Sequence, residues 1–424
     1  MTQETVQLKI GKNTFHVRIP NLMGVAVPAY TPGVPDVRAE IARSLDAPIG
    51  SERLEKLAHG RKNAVIVVND ITRPYPGGEM VLEIVQRLHR AGMRDEQIAL
   101  IVAYGQHRKN TVEELTAAFG EEVVSRFRII HHDCREDAQL ADLGTTSGGV
   151  RIVVNKAFAE ADLKILTGCI APHQFAGFSG GRKSVLPGIA GLETIQKHHF
   201  FPIRPEKASM GVLEGNRFHE EAVRAARIAG VDFIVNAVEN TEREIVRCVS
   251  GDLEEAFYAG AELSRKIWTV YVPEKPDVVI VSPGGFPRDI DLHQSQKSLA
   301  CVEMLCRENG GVILCAACPD GAGKPGVLLE KADSPDEVME DFLREGHKPN
   351  GNGKAYMIAK AAKAFHVVLA GSAVSKEQAQ AMFMDAFDTV EEAVDAMLER
   401  YGREAKILVV PSASEIIPCF GKGE

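Results

Sequence analysis

The chain has 424 residues, enough for two or three domains that each bury a core. Its 45% hydrophobic and 25% charged content match ordinary soluble globular chains, and its net charge of −9 argues against a nucleic-acid partner, which needs a basic face. No apolar stretch approaches the ~20 residues of a membrane helix, and eight cysteines in a chain this size do not make a disulfide framework.

In chain order, Val6, Leu8 and Ile10, then Phe15, Val17 and Ile19, alternate around Gly11-Lys12-Asn13 and predict a β-hairpin. The stretch Met1 to Pro20 lacks a basic-then-apolar signal pattern, so the expected location is cytoplasmic. A strand, connection and helix rhythm follows. Ala64 to Asn69 reads as a short apolar strand, and Met80 to Leu88 as a helix with Gly92 as its C-cap. Ile98 to Ala103 is the next strand, and Val112 to Phe119 the next helix, capped by Asn110 or Thr111. Further strands are expected at Phe127 to Ile130, Ile152 to Asn155, Leu163 to Thr167 and Phe233 to Ala237.

Prolines interrupt a charged stretch at Val272-Pro-Glu-Lys-Pro276, and the rhythm restarts beyond it. Strands are expected at Val278 to Val281, Val312 to Ala316, Val367 to Ala370 and Ile407 to Val410, with a helix over Ser295 to Cys306. Near-continuous apolar runs alternating with amphipathic helices indicate parallel sheets covered on both faces. The expected fold is α/β, with two domains of mainly parallel sheets and an active-site cleft between them. Residues 1–272 would form the first domain and 273–424 the second, with the last ~20 residues returning to the first.

After the apolar run Leu163 to Ile170 comes Pro172-His-Gln-Phe-Ala-Gly-Phe-Ser-Gly-Gly-Arg-Lys-Ser-Val-Leu-Pro-Gly188. Glycines this dense let a backbone approach an anion and turn N–H groups toward it. The loop fails as a nucleotide-hydrolase phosphate loop: counting from Gly177, Arg182 stands where the second glycine belongs. A plain glycine-rich turn is the bland alternative. Two other motifs are weak. Gly321, Gly323 and Gly326 match a dinucleotide fingerprint but enclose Pro325, and Cys315-Ala-Ala-Cys318 has no partner pair at zinc spacing.

Ligand chemistry in α/β sheets collects beyond the carboxyl ends of strands. There this sequence places Asp70-Ile-Thr-Arg-Pro74, then Gly105-Gln-His-Arg108, then His173 with the glycine loop, and finally Gly284 to Asp289 leading to Gln294 and Lys297. Each has a dull reading: a hydrogen-bonded structural histidine, a turn aspartate, a surface ion-pair arginine, a polar helix end at His198-His199. Their recurrence at successive strand ends points to a site.

These strings resemble the nickel-pincer-nucleotide-dependent lactate racemase family, by motif from Asp70 to Lys297 and by length and rhythm beyond. The resemblance implies a racemase or epimerase that inverts C2 of a 2-hydroxy acid through a 2-keto acid, by proton-coupled hydride transfer to the nickel cofactor. Lys183 would hold that cofactor covalently, His199 would ligate the nickel, and Ser179, Gly180, Gly181 and Arg182 would lie against its nucleotide, with Asp70 and Thr72 nearby. Square-planar nickel suits imidazole and soft sulfur donors.

His107 and His173 would be the acid–base pair, one on each face of the substrate, since ring pKa values near neutrality serve both directions of proton transfer. Arg73, Lys297 and Gln294 would bind the substrate carboxylate, with His293 beside them. The partners implied are a small 2-hydroxy acid and, transiently, the cofactor-making enzymes, with neither nucleic acid nor membrane. His293 replaces a tyrosine of the lactate enzymes, and no tryptophan stands near Met357, so a longer or more polar acid than lactate is expected. A nucleotide hydrolase and a non-catalytic cofactor carrier are the competing readings. The carrier has no use for His107, Arg73 or Lys297.

Overall fold

The computed structural model describes residues 3–73, 75–200, 208–413 and 415–421. Pro74 of the Asp70 motif lies outside them. Two compact units emerge, Tyr30–Trp268 and a second made of Met1–Ala29 with Thr269–Glu424. The break at Trp268 falls close to the expected boundary near 272. The amino-terminal hairpin, by contrast, groups with the carboxyl-terminal unit, and its strands β1 (Gln3–Ile10) and β2 (Asn13–Pro20) pair around the expected Gly11-Lys12 turn. The short strand β3 (Leu22–Val25) then leads into the other unit.

Unit Tyr30–Trp268 holds a six-stranded sheet. Its members are β4 (Ala64–Asn69), β5 (Ile98–Ala103), β6 (Arg128–His131), β9 (Leu163–Cys169), β12 (Phe233–Glu239) and β13 (Ile245–Gly251). Between them lie two small antiparallel ribbons, β7 (Leu140–Thr145) with β8 (Arg151–Asn155) and β10 (Pro172–His173) with β11 (Gly177–Phe178). The spatial order is β13-β12-β9-β4-β5-β6, parallel throughout except for the edge strand β13. Ala64–Val68 of β4 are buried on both faces, as their uninterrupted apolar run requires.

The helix Gly77–Arg90 covers one face, packing Met80, Val81, Ile84 and Leu88 into a core with Ile66, Val68 and Leu100. It runs longer at both ends than its apolar spacing predicts, with Gly92 just beyond the cap at φ +91°. Thr111 caps the helix Val112–Phe119 through a reciprocal box with Glu114.

The second unit begins its own chain of strands at β14 (Thr269–Val272). Its six-stranded sheet uses β15 (Val278–Val281), β16 (Gly311–Cys315), β17 (His366–Ala370), β18 (Asp385–Phe387) and β19 (Ile407–Val410), together with β3. All pairings in it are parallel. The last strand, β20 (Ile417–Phe420), pairs in parallel with β14 inside this same unit.

The helix expected over Ser295–Cys306 is broken: α-helix at Leu292–Ser295, one 3-10 turn at Gln296–Ser298, then α-helix again to Leu305. Asp291 starts it early by accepting the Gln294 N–H at 2.7 Å. Cys315 and Cys318 are both buried, and no described residues gather as a three-ligand metal cluster.

Candidate active site at a sheet edge

Strands β9, β4 and β5 are neighbours and run parallel, so the segments that follow them leave from the same edge of the sheet. Asp70 follows β4 directly and is buried. Its Oδ2 lies 2.6 Å from Nδ1 of His107, in the segment after β5. Its Oδ1 accepts the Thr72 hydroxyl at 2.7 Å and the Thr72 N–H at 3.2 Å. Burial alone would raise the Asp70 pKa, but the bond and charge of His107, with Thr72 and Arg73, outweigh it and hold the carboxyl below the ordinary value.

His107 keeps half its side chain in solvent. Buried Asn110 ties the two segments together by accepting the Ile71 N–H at 3.3 Å. Arg73 is exposed and donates to the Thr72 carbonyl at 2.9 Å. Asp70 and Arg73 also line a cavity of about 440 Å³ with Tyr75, Glu114 and Phe119.

The glycine loop reaches the same edge. The Gly105 N–H, two residues before His107, donates to the Gly188 carbonyl at 2.9 Å. His173 sits in the β10–β11 ribbon, where its Nδ1 accepts the N–H groups of Phe175 and Ala176, each at 3.2 Å. Lys183 lies on the 3-10 turn Gly181–Ser184, close enough to buried His198 to help, after burial itself, depress that ring to about 3.

The loop's N–H groups do less anion-facing work than their glycine content predicts. Ser179 N–H goes to the Ala171 carbonyl, and Gly181 N–H to Asn236 Oδ1 at 2.8 Å. Gly180, at φ +76°, has no room for a Cβ, which would meet Ile170 Cγ1 at 2.8 Å. These residues fold the loop upon the protein itself.

Arg182 is 1% exposed, and its guanidinium bonds the loop itself. Nη2 donates to Ala176 O at 2.7 Å, Nη1 to Gly180 O at 3.2 Å, and the group stacks 4.1 Å from the Phe257 ring centroid. Among the described residues no carboxylate pairs with it, and burial pushes it down to about 9, still charged at neutral pH. A phosphate loop this is not: the side chain that spoils the motif is the loop's fastener.

Of the histidine pair ending the helix Leu192–His199, His198 donates Nε2–H to Phe218 O at 2.7 Å inside the core. His199 instead donates Nδ1–H to Ile195 O at 2.9 Å, which places the lone pair on Nε2.

Gln294, Lys297 and His293 belong to the other unit and form a cluster there. Lys297 donates to Gln294 Oε1. Burial, then Lys354, pushes the His293 ring down to about 4, with Lys297 and Lys324 acting in the same direction against Asp291, so His293 is neutral near pH 7. Sequence reasoning missed Asn110, Asn236 and Phe257 as organisers of the edge. Asn236 left one signal, a polar residue inside an apolar buried strand.

A doubly wound sheet with a carboxylate–histidine pair, a second histidine and a lysine loop at one carboxyl edge defines an α/β enzyme domain. Comparison with known proteins says which kind. The profile of the lactate racemase N-terminal domain matches residues 10–211, and that of the lactate racemase C-terminal domain matches 272–417. Lactate racemase of Thermoanaerobacterium thermosaccharolyticum is 34% identical over 383 residues, 89% of each chain. That of Lactiplantibacillus plantarum is 35% identical over 382 residues, 89% of this chain and 90% of the relative.

The solved lactate racemase apoprotein from Thermoanaerobacterium thermosaccharolyticum superposes with a TM-score of 0.91 at 31% identity, covering 98% of this chain and 100% of that one. A Thermotoga maritima protein shares the fold at a TM-score of 0.67 and 18% identity, covering 92% of this chain and all of its own. The chain belongs to the lactate racemase family and is an isomerase. Among the described residues, no helix is long and apolar enough to cross a membrane.

Proposed function

We propose that this chain inverts C2 of a 2-hydroxy acid, lactate or a larger and more polar acid, with a nickel-pincer nucleotide held at Lys183 and His199. The observation that carries the reading is the Asp70–His107 pair, 2.6 Å apart, on the same sheet edge as the loop bearing His173 and Lys183.

The residues fit the group. A metal-binding histidine donates its other ring N–H to a carbonyl or carboxylate, as His199 does to Ile195 O. Buried Arg182, without a carboxylate partner among the described residues, leaves positive charge beneath the loop for an anionic group to offset. When bound, the nucleotide supplies the acceptor for the hydrogen at C2.

The protein does the rest. Asp70 holds the His107 ring in place, so that His107 takes the hydroxyl proton as the C2 hydrogen leaves. Arg73 supports recognition of the substrate carboxylate on this edge, and Lys297 with Gln294 provides anion-recognising groups on the other unit. Ser179, Gly180, Gly181 and Arg182 shape the loop that presents Lys183.

The test is chiral analysis of single enantiomers of lactate, malate and gluconate-type acids incubated with cofactor-loaded protein. Inversion of at least one acid, with higher kcat/KM on the polar ones, is expected. Protein with a confirmed adduct that inverts none would overturn the reading.

A further inference from the structure

In the unit that holds β15 and β16, the segments following these two strands gather positive charge. Backbone bonds tie the segments together: Cys318 N–H donates to Asp289 O at 2.9 Å, Asp320 N–H to Ile290 O at 2.9 Å, and Leu292 N–H to Gly321 O at 3.0 Å. That seam sets Gly323 against His293, since a Cβ on Gly323 would stand 3.7 Å from His293 Cβ and 3.6 Å from Asp291 Oδ2. Exposed Lys324 comes next. Its Cβ would lie 3.0 Å from a Cβ on Gly351, the residue that caps the helix Asn352–Ala364. Lys354 stands in the first turn of that helix. Turned to satisfy its neighbours, the buried Gln296 amide offers its oxygen to Lys354 Nζ at 3.0 Å and to the Lys297 N–H at 3.3 Å. Lys297, Lys324 and Lys354 thus come from three segments, and all three act on the His293 ring with Asp291 opposing them.

Folding alone disfavours this arrangement. Like charges repel, and a lysine in the first turn meets the positive end of the helix dipole, where an acidic side chain stabilises. That turn carries no acidic residue, and Asp291 already spends Oδ1 on the Gln294 N–H at 2.7 Å. A bound anion offsets both costs at once. We propose that His293, Lys324 and Lys354 form a second anion subsite beside Gln294 and Lys297, which selects 2-hydroxy acids carrying a second carboxylate over those with uncharged tails. The proposal rests on the functional reading above and narrows its substrate to a dianion. Gln294 and Lys297 take one carboxylate, and the two further ammonium groups, with an imidazole N–H, take the other. A methyl tail such as that of lactate leaves these donors without an acceptor. The hydroxyls of a sugar acid accept hydrogen bonds but bring no charge to balance the lysines.

Titration of the full, cofactor-free chain with succinate and with butyrate, followed by ¹H–¹⁵N spectra, tests the subsite. The two probes have the same carbon length and no hydroxyl, but succinate has a second carboxylate. Succinate should bind about tenfold or more tightly, as one added charge-assisted contact implies. Lys354→Met and Lys324→Met keep the carbon stem without the charge, and each should remove most of that preference, whereas Lys354→Arg should keep it. Lys324 is exposed, so its variant decides the matter even where Lys354→Met does not fold. Equal binding of the two probes by the parent, or an unchanged preference in Lys324→Met, overturns the proposal. In loaded protein, the ratio of kcat/KM for malate to that for lactate should fall about tenfold in Lys324→Met, mainly through KM for malate. An unchanged ratio overturns it too. Succinate cannot be inverted, so a succinate preference in a chain that inverts no hydroxy acid would sink the functional reading and leave the subsite standing.

Discussion

The two six-stranded sheets are built by one rule and used for different ends. Each carries a buried aspartate beyond the carboxyl end of a central strand, Asp70 after β4 and Asp289 after β15. Asp289 spends itself on backbone: its Oδ2 accepts the Gly11 N–H at 2.6 Å and the Ala317 N–H at 3.1 Å, pinning the amino-terminal hairpin to its sheet. Asp70 spends itself on a half-exposed imidazole. A carboxylate bonded to backbone can only hold; one bonded to a titratable ring that reaches solvent can also support proton transfer. Burial of an aspartate at a strand end is therefore a poor guide to function until its partner is known.

The largest effect that sharpens this contrast comes from the loop beside Asp70. Lys183→Ala should abolish covalent loading, so that intact-protein mass spectrometry shows an adduct in the parent and none in the variant. An unchanged adduct would break the assignment. Next, His107→Gln should lower kcat by about 10²–10⁴ while nickel content in loaded protein stays at the parent level. Nickel lost from this variant would move His107 out of the proton-transfer role. Asp289→Ala, the counterpart on the other sheet, should cost about 2 kcal/mol or more of stability by orphaning backbone donors, read by urea unfolding.

A smaller effect concerns acid stability. Burial, with Arg182 adding to it, pushes His219 from 6.5 down to about 3 in the folded chain. A depressed ring favours the fold above its unfolded pKa, so this stability is present above about pH 6.5 and is lost as pH falls toward about 3. His219→Gln should therefore flatten the fall of unfolding free energy across that window. An unaltered slope would show that the ring is not charged on unfolding there.

Much of the fold was legible because strands buried on both faces read as uninterrupted apolar runs. Ala64–Asn69, Ile98–Ala103, Val278–Val281 and Ile407–Val410 have the bounds their sequences suggest. Long-range choices were not legible: nothing local in Val6 to Ile19 says that this hairpin joins the unit starting 250 residues later at Thr269. The broken helix after Asp291 escaped because its apolar spacing continues through the 3-10 turn. At the site, residue types and strand-end positions marked Asp70, His107, His173 and Lys183. Which nitrogen of each ring carries hydrogen depends on partners brought together by folding. Arg182 was legible as the residue that ruins a phosphate loop, but its burial against Phe257, 75 positions away, was not.

In the proposed reaction the C2 hydrogen leaves and returns with its electron pair, while only the hydroxyl proton passes through His107. Racemising one enantiomer of a 2-deuterated hydroxy acid in ordinary water tests this most directly. The opposite enantiomer should form with deuterium retained at C2. Product carrying hydrogen from solvent at C2 would show abstraction of a proton instead and would contradict it.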